Sequence, residues 1–417
     1  MIASVSKTQR FLAVSLVLFG LGCAESQIGF PHPAELIRWP TSMLVDSDGR
    51  YAYVVNSNFD QLYKSGTIAV IDLVEERVLP DTTVQITPFG GIMRGLVDPD
   101  SGQVETLLIP SRQSDSIFRI DVQRDSEDSP PVLDCGGPAD GDTGTCNEDH
   151  EYTSDEGLSP GEEPYASLIL HELGPSHRIF ISAGLVDGTL NFFWIQDDGA
   201  LGKLAETTTN SGVQSMVYHP GTGTLVLAHK SKTFLTVIDL DFGLVDDTPV
   251  VNLGDPIFLQ LPALVKTTVG LDFGRELSLL PDGHRIALVW RQPDSLYILE
   301  PDATQASRFR LVHEIAVGDG ASRVVFAPFG VDGSWRAFVS SFKEDKIYVV
   351  DYEAGLVTNY VPVGRGPYEL AVVHQEDRKW IVTADFEDGT LTIVDGDPES
   401  ATHLQVITAV KGIEVEE

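Results

Sequence analysis

Basic residues are scarce in this chain of 417 residues, which has 28 Lys and Arg against 62 Asp and Glu and a formal net charge of −34 at pH 7. A chain this acidic repels a phosphate backbone, and no stripe of Lys or Arg is present that could release counterions from nucleic acid. Nucleic acid is therefore excluded as an expected partner. The charge does not imply disorder, because 42% of the residues are hydrophobic and this share is sufficient for a core.

Long apolar runs are also scarce, and the clearest one lies near the N-terminus. Residues 11–21 are mostly apolar and follow the basic Lys7 and Arg10. The run is about half of the roughly 20 residues that a membrane-spanning helix needs. Its length and its basic flank are typical of a signal peptide, so residues 1–22 are predicted to be an export signal.

Cysteine is rare as well, and the first of the three cysteines follows this signal. Residues 20–23, with the sequence Gly-Leu-Gly-Cys, resemble the lipobox of bacterial lipoproteins, with Gly20 where that family usually has Leu. The resemblance implies several acyl chains on Cys23, a linker over residues 23–35 and a permanent membrane anchor. Ala24 stands where Asp often signals retention in the inner membrane, which favours the outer membrane, facing the periplasm or the cell surface. The alternative is a plain secretory signal with an incidental cysteine.

Helical periodicity is lacking too, and one β-type unit recurs instead. The unit is an apolar strand, a turn rich in Pro, Asp and Gly, a second strand, a polar loop and a third strand that ends in an acid. In the clearest copy, residues 53–56 read Tyr-Val-Val-Asn and residues 70–72 read Val-Ile-Asp. This copy resembles the YVTN-type β-propeller repeat.

Seven copies of the unit are present, and each is identified by the end of its third strand. These ends are Asp72, Asp121, Gln196, Asp239, Glu300, Asp351 and Asp395. The sequence therefore predicts an all-β chain with a single β-propeller of seven four-stranded blades over residues 36–411. No Trp-Asp dipeptide is present, which argues against the WD40 variety. Ring closure is expected to bring residues 35–39 and 403–408 together in one blade.

An acidic insertion interrupts the repeats at residues 124–163, which contain few aliphatic side chains. We predict a long exposed loop outside the blades. Cys135 and Cys146 bracket a Gly- and Asp-rich stretch inside it, and two cysteines in an exported chain indicate a disulfide rather than free thiols.

Calcium binding is a weaker hypothesis for this insertion. Asp140, Asp142 and Glu151 match the first, third and twelfth positions of an EF-hand loop. The match fails at the sixth position, where Gly is required and Thr145 is present. A solvated acidic loop is therefore the favoured interpretation.

Candidate site residues come from the central channel, where propellers bind ligands. Residues just before each innermost strand are expected to point into the channel mouth, and they are Arg94, Ser215, Glu276, Arg323 and Glu369. Their mixed charges could hold a small polar ligand or an ion. The alternative is a ring of salt bridges and water that plugs the channel.

Motifs of other enzyme classes are incomplete. The zinc motif that begins at His171 has Pro175 where its second histidine is needed. The Gly-x-Ser-x-Gly pattern at residues 157–161 lies in the acidic insertion, without the strand and helix that it requires. No phosphate-binding glycine loop is present. No metal and no cofactor are therefore expected.

Two functions remain open. The first is a membrane-anchored binding or scaffold protein, whose propeller face takes up a protein or polysaccharide partner. The alternative follows from the resemblance, because YVTN-type propellers are similar to lactonase-like propellers. It implies a hydrolase with Glu276, Glu369 and Arg323 as catalytic residues. A deep channel with converging carboxylates and a basic group would favour the enzyme, and a filled channel would favour the binder.

Overall fold

The computed structural model describes residues 29–98, 101–126, 129–137, 144–154, 157–171, 174, 177–196, 198–261 and 272–412. Over these ranges the chain is almost entirely β-structure, with one short 3-10 helix at Glu148–His150. None of the helices found there is long and apolar enough to cross a membrane. Seven sheets stand in a ring, which confirms the predicted seven-bladed propeller.

In each blade the first three strands follow one another in chain order from the innermost strand outward. Blade 1 contains β1 (Pro40–Val45), β2 (Tyr51–Asn56), β3 (Gly66–Asp72) and β4 (Arg77–Ile86), and blade 2 begins with β5 (Arg94–Val97), β6 (Val104–Ser111) and β7 (Ser116–Gln123). The insertion adds β8 (Val132–Asp134), β9 (Gly144–Thr145) and β10 (Glu151–Tyr152). Blade 3 contains β11 (Pro164–Leu170), β12 (Arg178–Gly184), β13 (Thr189–Ile195) and β14 (Leu201–Thr208).

The remaining four blades continue the same order. Blade 4 contains β15 (Val213–His219), β16 (Thr224–His229), β17 (Phe234–Val245), β18 (Thr248–Leu253) and β19 (Ile257–Gln260). Blade 5 contains β20 (Gly274–Leu279), β21 (Ile286–Trp290), β22 (Ser295–Pro301) and β23 (Phe309–Ala316). Blade 6 contains β24 (Ala321–Ala327), β25 (Arg336–Ser341), β26 (Lys346–Asp351) and β27 (Leu356–Pro362), and blade 7 contains β28 (Pro367–His374), β29 (Lys379–Asp385), β30 (Thr390–Asp395) and β31 (Val406–Lys411).

Burial follows the position of a strand in its blade. Every residue of β2 and β3 is buried, because both faces of these strands pack against neighbouring blades. The outermost strand β27 is mostly exposed. Apolar runs at the middle of each repeat therefore form the core, which is why the second and third strands could be identified from the sequence.

The insertion is not a loop outside the blades, and this prediction is wrong. β8 and β10 both pair with β7, at Asp121–Gln123 and at Ile117–Phe118, and together they supply the outermost strand of blade 2. β9 pairs with β4 as a fifth strand of blade 1. Acidic composition concealed these strands, because an outermost strand needs to bury only part of its surface.

The predicted disulfide between Cys135 and Cys146 is present, with its Cα atoms 4.7 Å apart. Cys135 is buried and packs with Phe118 and Leu133 in the core shared by blades 1 and 2. The bond therefore ties the insertion to the propeller core.

Ring closure relies on packing, and the expectation that both chain ends share one blade is wrong. All four strands of blade 7 come from the C-terminal part of the chain. Residues 35–39 form no strand, but Ile37 packs against Leu391 and Val410 of blade 7. A Cβ atom on Gly412 would lie 2.5 Å from the backbone of Glu35 and of Ile37, so the two segments do approach closely.

Candidate functional site

Two cavities lie along the central channel, one at each side of a layer of polar side chains. The mouth cavity, about 340 Å³, has six aromatic side chains in its lining: Phe59, Phe89, Tyr165, Phe342, Tyr368 and Phe386. The inner cavity, about 330 Å³, is lined by polar residues together with Met43, Met93 and several aliphatic side chains. Both volumes are in the range of small-molecule sites.

The structure brings together all five residues that the sequence assigned to the channel mouth. Arg94, Ser215, Glu276, Arg323 and Glu369 line the inner cavity. None of them lines the mouth cavity, so the five converge one level below it.

β-bulges explain this difference in level. Near the start of β20, Gly274 pairs with Trp290 and Glu276 with Val289, which leaves Arg275 without a partner. Side chains alternate between the two faces of a regular strand, but a bulge redirects one of them. Arg275 therefore lines the mouth cavity while Glu276, the next residue, lines the inner cavity.

Four other innermost strands have an equivalent bulge. The residues left without a partner are Thr41, Tyr165, Gln214 and Tyr368. All four line the mouth cavity.

Arg94 departs from the predicted alignment. Glu276 lies two residues after the first paired residue of its strand, whereas Arg94 lies four residues after Gly90, which bridges to Ser111. Arg94 therefore stands two positions deeper than its supposed equivalents. It still reaches the inner cavity, because residues two apart point to the same face of a strand.

Tyr165, Arg323, Tyr368 and Glu369 form the layer between the cavities, called here the tyrosine–arginine layer. Arg323 Nε lies 3.1 Å from Glu369 Oε2, and Arg323 Nη2 donates to the Tyr165 hydroxyl over 3.4 Å. The hydroxyl oxygens of Tyr165 and Tyr368 are 2.6 Å apart. The layer thus joins three blades across the axis.

Burial and neighbouring charges shift the pKa values of the residues in this layer. Burial by itself would lower the pKa of Arg323, but Glu369 and Tyr165 outweigh it and raise that pKa well above its usual value. Burial by itself would likewise raise the pKa of Tyr368, yet Arg275 and Arg323 outweigh it and lower that pKa. Burial raises the pKa of Tyr165. Arg323 is therefore the fixed positive charge at the centre of the channel.

Glu276 is the carboxylate of this group that lacks an ion pair. Its Oε2 accepts a hydrogen bond from the backbone N–H of Val324, and no cation of the described residues lies within salt-bridge distance of it. Burial, opposed by Arg323 and reinforced by Glu369, raises the pKa of Glu276 to about 7. Glu276 therefore exchanges a proton near neutral pH inside the inner cavity.

Arg94 lines the same cavity as Glu276, and its Nε donates to the carbonyl oxygen of Ser167 over 3.0 Å. Burial lowers the pKa of Arg94, although Glu369 and Glu276 partly offset it. The two arginines and two glutamates thus form one direct ion pair, between Arg323 and Glu369, rather than two.

Sequence reasoning missed Tyr165 and Tyr368, although the chain contains a signal for them. The dipeptide Pro-Tyr opens the innermost strand in blade 3, at Pro164, and in blade 7, at Pro367. A residue pair repeated at the same place in two blades must meet at the same level of the channel. Aligning the repeats on their turns would therefore have placed both tyrosines at the axis.

The metal hypotheses receive no further support. Across the described part of the chain, no group of three or more His, Cys, Asp or Glu side chains is placed to hold a metal ion. Asp140 and Asp142 lie outside the described residues, and Glu151 pairs with Phe118 in β10.

No family model matches this chain, and no curated protein matches it in sequence. Solved structures with similar folds include a hydrazine synthase of Kuenenia stuttgartiensis, at 14% identity and a TM-score of 0.57, covering 91% of this chain and 100% of that chain. A periplasmic gluconolactonase of Pseudomonas aeruginosa is 15% identical, with a TM-score of 0.57, and the match covers 83% of this chain and 92% of that chain. The β-propeller domain of a Myceliophteria thermophila protein is 13% identical, with a TM-score of 0.51, and the match covers 86% of this chain and 97% of that chain. At these identities the likeness shows the fold alone.

Proposed function

We propose that this protein is a lipoprotein of the bacterial cell envelope, built from YVTN-type repeats, that binds a small ligand in its mouth cavity. The observation that carries the proposal is the mouth cavity itself, of about 340 Å³, with aromatic side chains around it and the tyrosine–arginine layer below it. A concave, largely apolar site with a few polar groups is the usual form of a ligand site. A protein or polysaccharide partner on the surrounding loops is compatible with this role.

Blocking the mouth cavity tests the binding function. Leu185 lines the cavity, whereas its neighbour Val186 does not and is 46% exposed. Leu185→Trp should fill the cavity, and Val186→Trp is the matched control. Native mass spectrometry after incubation with the small-molecule fraction of envelope extract should show a bound mass on wild type and Val186→Trp. Retention of that mass by Leu185→Trp would place the ligand elsewhere.

The envelope anchor is tested separately at Cys23. Acyl chains hold a protein to a membrane in proportion to the methylene groups that they bury. Cys23→Ser should therefore move the protein from the membrane fraction to the soluble fraction. Continued membrane association after a carbonate wash would rule out lipidation at this residue.

A hydrolase is the second candidate, and Glu276 is the observation that favours it. Of the proposed catalytic residues Glu276, Glu369 and Arg323, the latter two pair with each other, and Glu276 has a pKa of about 7. A base with this pKa could take a proton from water as the water attacks a lactone carbonyl, and could return that proton to the ring oxygen as the ring C–O bond breaks. The gluconolactonase named above shares the fold, which by itself does not establish the reaction.

Lactone hydrolysis followed by pH-stat tests this candidate, with glucono-δ-lactone as substrate and spontaneous hydrolysis subtracted. The enzyme hypothesis expects Glu276→Gln to abolish the catalysed rate. The control is Glu300→Gln, because Glu300 pairs with Arg310 away from the channel. A wild-type rate equal to the buffer rate, or one unaffected by Glu276→Gln, would remove the hydrolase candidate.

A further inference from the structure

Positive charge is concentrated at the mouth cavity of this acidic protein. The whole chain carries a formal charge of −34, yet the described residues that line the mouth cavity include three cations and no carboxylate. The cations are Arg112, Lys230 and Arg275. A local excess of one sign against the charge of the whole molecule attracts ligands of the opposite sign.

Neighbouring carboxylates neutralise only part of this charge. Arg112 is paired with Glu163, with Nη2 and Oε2 2.5 Å apart. Lys230 is exposed and has no ion-pair partner among the described residues. One positive charge at the cavity is therefore open to a ligand.

A second excess charge lies at Arg275, which lines the same cavity as Lys230. Asp272 is shared by two guanidinium groups, at 3.3 Å from Arg275 Nη1 and 2.5 Å from Arg291 Nη1. The Arg275 side chain is nine-tenths buried, and its Nε has no hydrogen-bond partner in the described part of the chain. A buried cation that shares its counter-ion is stabilised by an additional anion.

The aromatic side chains form a connected wall beside these cations. The ring of Phe386 lies 5.6 Å from Phe59, 5.9 Å from Phe342 and 5.7 Å from Tyr368, measured between centroids. Phe59 is 54% exposed, so part of this wall has no protein partner. Flat apolar groups stack on such rings at the same spacing.

We infer that the mouth cavity binds small organic anions that carry a flat apolar face. The anionic group lies between Lys230 and Arg275, and the apolar face lies against the wall formed by Phe59, Phe342 and Phe386. Carboxylates and phosphates share this chemistry. The inference rests on the proposed binding function and adds the chemical class of the ligand.

A pair of fluorescent probes tests the inference on the full-length protein. One probe is 1-anilinonaphthalene-8-sulfonate, and the other is N-phenyl-1-naphthylamine, which has the same rings and no charge. We expect the sulfonate to bind more tightly to wild type. Lys230→Gln and Arg275→Gln should each weaken the sulfonate by about tenfold, the loss expected for one charge-assisted contact, and should leave the neutral probe unchanged.

Lys232→Gln is the matched control for Lys230→Gln. Lys232 lies two positions further along the chain and does not line the mouth cavity. The Lys232→Gln substitution removes one positive charge close to Lys230 in the chain and should leave sulfonate binding unchanged. Equal losses for the two variants would mean that only the overall charge matters, and would overturn the inference.

Displacement of the sulfonate then distinguishes the two natural sources of anion. Benzoate and phenyl phosphate should displace it, and the tighter competitor identifies the preferred group, whereas benzyl alcohol should not. Equal displacement by benzyl alcohol would overturn anion selection while leaving the binding function in place. If Leu185→Trp still binds both probes as wild type does, the mouth is not the site, and the binding function fails as well.

Discussion

The mouth cavity and the inner cavity both take residues from the same innermost strands, yet the two cavities differ in their chemistry. Arg275 and Tyr368 face the mouth, and the residues that follow them, Glu276 and Glu369, face the inner cavity. The mouth combines aromatic rings with cations, and the inner cavity combines serines with two arginines and two glutamates. The comparison teaches that one bulge per strand lets consecutive residues serve two separate sites.

Removal of the ion pair in the tyrosine–arginine layer should have the largest effect on stability, because both of its members are buried. Arg323→Ala leaves the buried Glu369 without its partner, 3.1 Å away in the native protein. Loss of one member of a buried pair costs about 3–5 kcal/mol of unfolding free energy. Urea unfolding monitored by tryptophan fluorescence measures the loss.

Replacing both members of that pair separates charge from packing. Arg323→Met with Glu369→Leu removes both charges and keeps apolar volume, so it should recover most of the stability. If the double variant is as unstable as Arg323→Ala, the destabilisation arises from lost packing, and the layer is not held by its charges.

Glu276→Gln should affect the inner cavity alone, with an effect on stability that grows as pH rises. The folded-state pKa of Glu276, about 7, lies above the usual value of 4.5, so the folded protein retains a proton that the unfolded chain releases between these values. Wild type therefore loses stability as pH rises through this window, by up to about 3 kcal/mol.

The measurement is the difference in unfolding free energy between Glu276→Gln and wild type at pH 4 and at pH 8. Glutamine remains neutral, so the variant should be the more stable protein at pH 8, and the two should be similar at pH 4. A difference that does not change with pH would show that Glu276 is not protonated in the folded protein near neutral pH.

Tyr368→Phe should have a smaller effect, since it removes one hydroxyl from the mouth side of the layer. Tyr165 loses its partner at 2.6 Å but keeps the donor from Arg323 at 3.4 Å. One neutral hydrogen bond contributes about 1 kcal/mol, which thermal unfolding resolves. Phe326→Leu, in the inner strand of blade 6 beside Tyr352, serves as a reference for a change of packing alone. If Tyr368→Phe lost more stability than Arg323→Ala, the Arg323–Glu369 ion pair would not be the strongest contact of the layer.

Lys230→Gln should have the smallest effect on stability and separates binding from folding. Lys230 is exposed and unpaired in the described structure, and such surface changes alter stability by about 0.5 kcal/mol at most. Its melting temperature should match that of wild type even where its binding of anionic probes is weakened. A marked fall in melting temperature would give Lys230 a structural role.

The repeat pattern predicted the blades because its signals are local. Asp72, Asp351 and Asp395 each end the third strand of a blade, as expected from the sequence. Insertion strands such as β10 were not predicted, because Glu151 and Tyr152 carry no alternating apolar pattern. These two residues form a strand by pairing with the edge of β7, which precedes them in the chain. Strand pairing at an outer edge depends on the partner more than on the strand itself.

The site was predicted in part. Glu276, Arg323 and Glu369 do meet at the axis, since residues at equal positions in successive blades reach the same level of a ring. The mouth was missed, because the assignment of Arg275 or Tyr368 to one cavity depends on a bulge. A bulge depends on how two strands pair, so the sequence of one strand does not predict it.

The sequence by itself determined the all-β class, the seven blades and the pairing of Cys135 with Cys146, since each depends on patterns within a short stretch of chain. Tertiary structure alone decided which side chains contact each other across the channel. Tyr165 and Tyr368 are 203 positions apart and share a hydrogen bond, and Arg323 reaches Tyr165 across 158 positions. These contacts depend on closure of the ring, which sets distances between blades that no local pattern encodes.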